Sequence, residues 1–145
     1  MRYGTLAGIV LMAAAVVNCS DSLEPTSLIG TWDATELRFT NLANASQSVD
    51  VIGDEDGAFT LVLSANGAYE ITVTLPDEDP DVTTGTWVYT DLDGLTLTET
   101  GDVDGTDISV SLSGDTMTIS STDGIIFDFG DGDVNVRLQG TLVRR

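Results

Sequence analysis

Residues 58–75 read AFTLVLSANGAYEITVTL, and they are the clearest indication of the fold in the sequence. Its large apolar side chains occupy alternate positions on either side of the Asn66-Gly67 pair: Phe59, Leu61, Leu63, Tyr69, Ile71 and Val73. A period of two is typical of a half-buried β-strand. Asn-Gly tolerates the positive φ angles of a tight hairpin turn. The stretch therefore predicts an antiparallel β-hairpin with one apolar face.

The same alternation continues to the end of the chain, interrupted by Asp-Gly and similar turn signals. We predict strands near 29–40, 58–64, 68–75, 83–90, 94–100, 106–112, 116–121, 125–129 and 133–144, with room for a further short one at 49–52. Two longer loops are expected at 41–48 and 76–81, and no segment has a convincing helical period.

A meander of eight to ten antiparallel strands must hide its two edges, so it either closes or folds over. We expect an all-β, up-and-down barrel. A two-sheet β-sandwich is the alternative.

The first 18 residues have the features of an export signal. Arg2 precedes an apolar run over 6–17 that is too short to span a bilayer comfortably. Residues 19–27 then read as a polar tether. We therefore divide the 145-residue chain into a signal peptide (1–18), a tether (19–27) and one folded domain (28–145).

Cys19 is the single cysteine of the chain, so no intramolecular disulfide can form. Its place at the end of the apolar run resembles the lipobox of bacterial lipoproteins. That resemblance implies that Cys19 becomes the first mature residue and carries acyl chains. Asn18 departs from the pattern, and cleavage after Ala15 or a free exported thiol remain alternatives. By resemblance to the sorting rules of enteric lipoproteins, Ser20 after the cysteine favours the outer membrane, so we expect an exported envelope protein held by an N-terminal lipid anchor.

The charge of the chain excludes several partners. Asp and Glu number 24 against five Arg, with no Lys and no His, and the formal net charge is −19. Such a surface repels phosphate backbones and anionic lipid headgroups. We expect no nucleic-acid partner, and contact with a membrane only through the anchor.

The composition also removes most catalytic arrangements. Without His, neither a Ser-His-Asp nor a Cys-His set can form, and without Lys there is no Schiff-base chemistry. Glycoside hydrolysis needs only two carboxylates. However, we expect Glu70, Glu99 and Asp128 to face solvent. The prediction is a protein that is not an enzyme and uses no cofactor.

Short motifs along the domain carry a family resemblance. Gly30-Thr31-Trp32 opens the first strand, the segment 59–69 reads FTLVLSANGAY, and Gly85-Thr86-Trp87 precedes the run 93–98. In this order, after a lipobox, they resemble bacterial lipocalin-like lipoproteins. The resemblance implies a lipocalin-like barrel in which Gly30 and Trp32 are a structural signature and Trp32 packs across the closed end. It also implies an Arg of the last strand against Trp32, which is either Arg137 or Arg144.

If the barrel closes, alternation directs an apolar set inward. The candidates for a ligand-binding lumen are Phe59, Leu61, Tyr69, Ile71, Val73, Trp87, Tyr89, Met117, Phe127 and Phe129. An eight-stranded barrel lies at the boundary between a filled core and a one-ligand cavity. One hypothesis is thus a carrier of a small apolar ligand. The other is a surface or structural module with a filled core and an unidentified protein partner.

Clustered acidic turns raise a minor hypothesis of calcium binding. The best candidate is the cluster Asp128, Asp131, Asp133 and Asn135, which offers several oxygen ligands but no complete EF-hand loop. Hairpin turns favour Asp and Gly for backbone reasons in any case, so an ordinary turn is the alternative.

Overall fold

The computed structural model describes residues 23–90, 94–121 and 125–145. Within them a short 3₁₀ helix, Pro25–Leu28, precedes ten strands. The strands are β1 (Gly30–Asn41), β2 (Ser48–Asp50), β3 (Ala58–Leu63), β4 (Ala68–Thr74), β5 (Asp81–Thr90), β6 (Gly94–Glu99), β7 (Thr106–Ser113), β8 (Thr116–Ser121), β9 (Ile126–Asp128) and β10 (Asp133–Arg144).

Eight of these strands form a closed antiparallel barrel. β1 pairs with β3, and the meander continues through β4, β5, β6, β7 and β8 to β10. β10 returns to β1 along a register from Trp32 opposite Arg144 to Asn41 opposite Val136. The prediction of an all-β antiparallel barrel is confirmed, and the chain does not form the alternative two-sheet sandwich. The closed barrel is consistent with a lipocalin-like fold.

The two short strands, β2 and β9, pair with those parts of β1 and β10 that the neighbouring barrel strands do not reach. β3 covers only the first part of β1, through Gly30–Asp33, and β2 pairs with the later part at Arg38–Thr40. In the same way β8 covers the last part of β10, and β9 pairs with its first part at Asp133–Asn135. The barrel wall is therefore extended on one side, where β1 and β10 continue beyond their neighbours.

The hairpin predicted over 58–75 is present in the expected register. Phe59 lies opposite Val73, Leu61 opposite Ile71 and Leu63 opposite Tyr69. Side chains at paired positions share one face of a sheet, so this whole set points into the barrel.

The folded domain begins slightly earlier than expected. Residues 25–27, assigned to the tether from sequence, lie in the 3₁₀ helix, whose last residue Leu28 is fully buried. β5 likewise begins at Asp81 rather than near 83. The signal peptide 1–18, Cys19 and the tether up to residue 22 lie outside the described residues.

One end of the barrel, here called the closed end, is sealed by Trp32 and Arg144. Trp32 is fully buried, and its Nε1 donates a hydrogen bond to the Leu28 carbonyl at 2.8 Å. The guanidinium carbon of Arg144 lies 4.3 Å from the centroid of the Trp32 ring. Its two terminal nitrogens donate to the carbonyls of Ile29 and Ser27 at 2.8 and 2.6 Å. Of the two arginines left open by the sequence, Arg144 is thus the one against Trp32.

Gly30 makes this contact sterically accessible. Its φ is +146°, and a Cβ built on it would lie 2.7 Å from Arg144 Nη1. A side chain there would therefore displace the guanidinium as well as strain the backbone. The Gly-x-Trp motif consequently has a direct structural reason in this chain.

We predict that Arg144→Met lowers the free energy of unfolding by about 2–3 kcal/mol, because two partly buried carbonyls lose charged donors. Arg144→Lys should recover only part of this loss, since an ammonium cannot donate as a planar fork. Urea unfolding followed by tryptophan fluorescence measures both. Arg137→Met, on the exposed face of the same strand, is the matched control. Equal losses for Arg137→Met and Arg144→Met would contradict this role.

Candidate functional site

The barrel interior is filled from the closed end to about its middle. The nearly or fully buried side chains there include Trp32, Leu61, Leu63, Tyr69, Trp87, Leu95, Val110, Met117, Ile119 and Leu142. Trp87 Nε1 donates to the Ser64 carbonyl at 3.0 Å, so its polar atom is satisfied. The Tyr69 ring packs over Gly85, where a Cβ would lie 2.7 Å from Tyr69 Cε1. This part of the interior is a packed core.

The opposite end, here called the open end, contains a cavity of about 490 Å³. This end carries the connections 42–47, 51–57, 75–80, 100–105 and 129–132. The cavity is lined by nine apolar residues and three carboxylates: Leu37, Phe39, Val49, Val51, Phe59, Val73, Leu75, Phe127 and Phe129, with Glu55, Asp81 and Asp128. Its volume falls within the range of about 300–1,000 Å³ that is common for small-molecule sites.

Three phenylalanines form one wall of the cavity. The rings of Phe39 and Phe127 are stacked, with centroids 4.7 Å apart and planes 12° apart. Phe129 meets Phe127 edge-on, with centroids 4.9 Å apart. Phe39 belongs to β1 and Phe127 to β9, so the aromatic contacts connect the two sides of the extended wall.

Asp50 holds the adjoining part of the wall, formed by β1 and β2, in place. Its Oδ1 accepts hydrogen bonds from the backbone N–H groups of Leu37 and Ile52, at 3.0 and 3.1 Å. The N–H of Gly53 also donates to this carboxylate, and Arg38 Nη2 lies 3.9 Å from its Oδ2. The carboxylate thereby fixes β1 to the turn after β2, next to the lining residues.

These donors decide the ionisation of Asp50. Burial by itself raises the pKa of the carboxyl, but the N–H groups of Leu37, Gly53 and Ile52, with Arg38, outweigh it and hold the pKa below its ordinary value of 3.8. A group whose pKa is lower in the folded state stabilises the fold above its unfolded pKa. That contribution is lost as the pH falls through the folded pKa.

The ten lumen candidates separate into three groups. Four of them line the cavity: Phe59, Val73, Phe127 and Phe129. Four others lie in the packed core: Leu61, Tyr69, Trp87 and Met117. The remaining two, Ile71 and Tyr89, are half-buried and pack against that core. All ten lie on the interior side, but only the first group is placed to touch a ligand in the open cavity.

Sequence reasoning missed a large part of the lining. Leu37, Phe39, Val49, Val51 and Asp81 were not among the candidates. For Leu37 and Phe39 the alternating pattern along β1 was an available signal. For Val49 and Val51 there was little signal, because β2 has only three residues.

The acidic turn 128–135 behaves as a turn. Asp128 Oδ1 accepts hydrogen bonds from the N–H groups of Gly130 and Gly132, at 2.7 and 2.9 Å. These two donors lower the pKa of Asp128. Over residues 23–90, 94–121 and 125–145, no group of three or more acidic, His or Cys side chains is placed to hold a metal ion. Asp131 and Asp133 are exposed and Asn135 is exposed on β10.

The carboxylates considered for catalysis lie on three different strands. Glu70 on β4, Glu99 at the end of β6 and Asp128 on β9 are all exposed, as expected. In the described part of the chain, no helix is long and apolar enough to cross a membrane.

Comparison with known proteins adds no assignment. No protein-family model matches the chain, and no curated protein matches it.

We predict that Asp50→Ala lowers the free energy of unfolding by about 2–4 kcal/mol at neutral pH, because several backbone N–H groups lose their acceptor. The difference from the unsubstituted protein should narrow as the pH falls below 3.8 and the native carboxylate becomes protonated. Urea unfolding at a series of pH values measures this difference in the free energy of unfolding. Asp79→Ala, at an exposed loop carboxylate, is the control. A difference that does not change with pH would contradict the assignment.

Proposed function

We propose that this protein is an exported, lipid-anchored member of the lipocalin-like group that binds a small, predominantly apolar molecule in the cavity at the open end. The observation that carries the proposal is the cavity itself. A pocket of about 490 Å³ with nine apolar lining residues exposes hydrocarbon surface that a ligand would remove from water.

The packed core supports this arrangement by keeping the cavity in shape. The side chains below it are almost fully buried, and Trp32 and Trp87 have satisfied ring nitrogens. A pre-formed site loses little conformational entropy on binding. The alternative, a module whose interior is filled throughout, is less favoured because the filled region ends below Phe59 and Val73.

The sequence of the first 27 residues supports the export and lipidation in this proposal. The apolar run 6–17 followed by Cys19 supports a lipobox-type signal, and the polar residues after it support a tether. Two or more acyl chains at Cys19 would anchor the protein stably, as a single chain would not.

We predict that Val73→Trp abolishes ligand binding without unfolding the barrel, because the new ring fills the cavity beside Phe59. Each buried CH₂ contributes about 0.8 kcal/mol, so excluding two methylenes of a ligand already weakens binding by about tenfold. Fluorescence of N-phenylnaphthylamine, a neutral apolar probe, measures the affinity of the chain from Leu23 onward. This part contains every strand and core residue described above.

Val88→Trp is the matched control, since Val88 lies on the same barrel but is 61% exposed on its outer surface. The control should bind the probe like the unsubstituted protein. Unchanged binding by Val73→Trp, or no binding by the unsubstituted protein, would count against a ligand in this cavity.

We predict that Cys19→Ala shifts the protein from the membrane fraction to the soluble fraction of the expressing bacterium. Ser20→Ala keeps the cysteine and is the control. Fractionation followed by immunoblotting with a C-terminal tag measures the distribution. A Cys19→Ala protein that remains in the membrane fraction would show that the anchor is not at this residue.

A further inference from the structure

The charges at the cavity mouth have a single sign. The three lining residues that are not apolar are Glu55, Asp81 and Asp128, and all three carry carboxylates. The cavity has neither a basic lining residue nor a neutral polar one among the residues that the structure describes. If a ligand binds with its polar group at the mouth, that group therefore lies among carboxylates.

Asp81 is the most informative of the three, because of its position in the sheet. It lies opposite Val73 in the β4–β5 register, and Val73 points into the cavity. The positions that follow it on the same face of β5 are Thr83, Gly85, Trp87 and Tyr89. A carboxylate thus occupies the first interior-facing position of this strand, at the edge of an apolar pocket.

None of the four arginines of the described chain lines the cavity. Arg38 pairs with Glu36 and Asp50, at 3.4 and 3.9 Å. Arg144 and Arg145 lie at the closed end, where Arg145 forms two hydrogen bonds with Asp33. Arg137 lies in a separate polar depression with Ser109, Ser120 and Gln139. An anionic headgroup at the mouth would find no basic partner there.

The carboxylates at the mouth differ in the hydrogen bonds that they already accept. Asp128 accepts two backbone hydrogen bonds within its own turn. Glu55 and Asp81 are both exposed at the rim. Like charges near a ligand anion disfavour its binding, whereas an ammonium group there gains from each carboxylate.

We infer that the ligand of this cavity is a cationic amphiphile, with a hydrocarbon body among the phenylalanines and an ammonium group at the carboxylate rim. This inference rests on the proposed function, because it names the class of ligand for the same site. It excludes the fatty-acid anion as the preferred occupant. The aromatic wall is compatible with it, since aromatic rings attract ammonium groups.

The test compares three ligands that share one decyl chain and differ only in the headgroup: decyltrimethylammonium, decanol and undecanoate. Calorimetric titration of the chain from Leu23 onward gives the affinities, with the two ionic ligands kept below their micellar concentrations and decanol below its solubility limit. Near-UV circular dichroism verifies that the barrel stays folded. We expect decyltrimethylammonium to bind at least about tenfold more tightly than undecanoate at low ionic strength, with decanol between them. The difference should shrink at high salt, because exposed charges are screened.

The variant Asp81→Asn distinguishes the effect of a carboxylate at the cavity rim from the effect of the protein's net negative charge. It should weaken binding of decyltrimethylammonium by about two- to fivefold and leave decanol unchanged. Glu70→Gln removes one charge from the exposed outer surface of β4 and is the matched control, with almost no effect expected.

The outcomes distinguish the proposed function, binding of an apolar ligand, from the inference that this ligand is cationic. Failure of all three ligands to bind would overturn the proposed function, and the inference with it. Equal affinities, or tightest binding of undecanoate, would overturn only the inference and leave an apolar-ligand site. Equal effects of Asp81→Asn and Glu70→Gln would also overturn it, because the preference would then come from the net charge of the protein.

Discussion

The pairing of β1 with β10 closes the barrel. These strands lie at the two ends of the folded domain, and their register runs from Trp32 opposite Arg144 to Asn41 opposite Val136. Without it, the meander would expose two edges with unpaired N–H and C=O groups. With it, the edges disappear and an interior separate from solvent exists. Arg144 reinforces the closure where the first and last strands meet, by holding two carbonyls that precede β1.

The cavity is a consequence of the same two strands. β1 and β10 are each 12 residues long, longer than any other strand of the described chain. Their neighbours β3 and β8 end earlier, so the extra length needs partners of its own. β2 and β9 supply these partners, and their residues Val49 and Phe127 line the cavity. The interior is thus packed where all eight barrel strands surround it. It is open where only β1, β10 and their short partners β2 and β9 extend further.

Much of this fold could be predicted from the sequence, because local signals determine it. Period-two alternation and Asn-Gly or Asp-Gly turns place most strands to within a residue or two, and short turns impose antiparallel neighbours. The 3₁₀ helix at Pro25–Leu28 was missed because four residues do not establish a period. Which arginine meets Trp32 could not be decided either. Both Arg137 and Arg144 lie on β10, and a β-bulge between Ala34 and Glu36 alters the register with β1.

The site was harder to predict than the fold, for a physical reason. Alternation identifies which residues face inward, but it carries no information about depth along the barrel. Leu61 and Phe59 are two residues apart on one strand, yet the first lies in the packed core and the second lines the cavity. Depth follows from the shear of the barrel and from the small strands β2 and β9. The carboxylate of Asp81 was missed for a related reason, because it falls where a loop was expected.

The position of the chain's entry into the barrel connects the site to the proposed anchor. The described chain begins at Leu23 and passes through the 3₁₀ helix at the closed end, and β1 then leads away toward the open end. A strand of 12 residues extends roughly 40 Å along its own axis. With an anchor at Cys19, the closed end would therefore be tied to the membrane and the mouth would lie at the far side. A ligand would then reach the cavity from the surrounding water or from a facing surface, rather than from the bilayer that holds the protein.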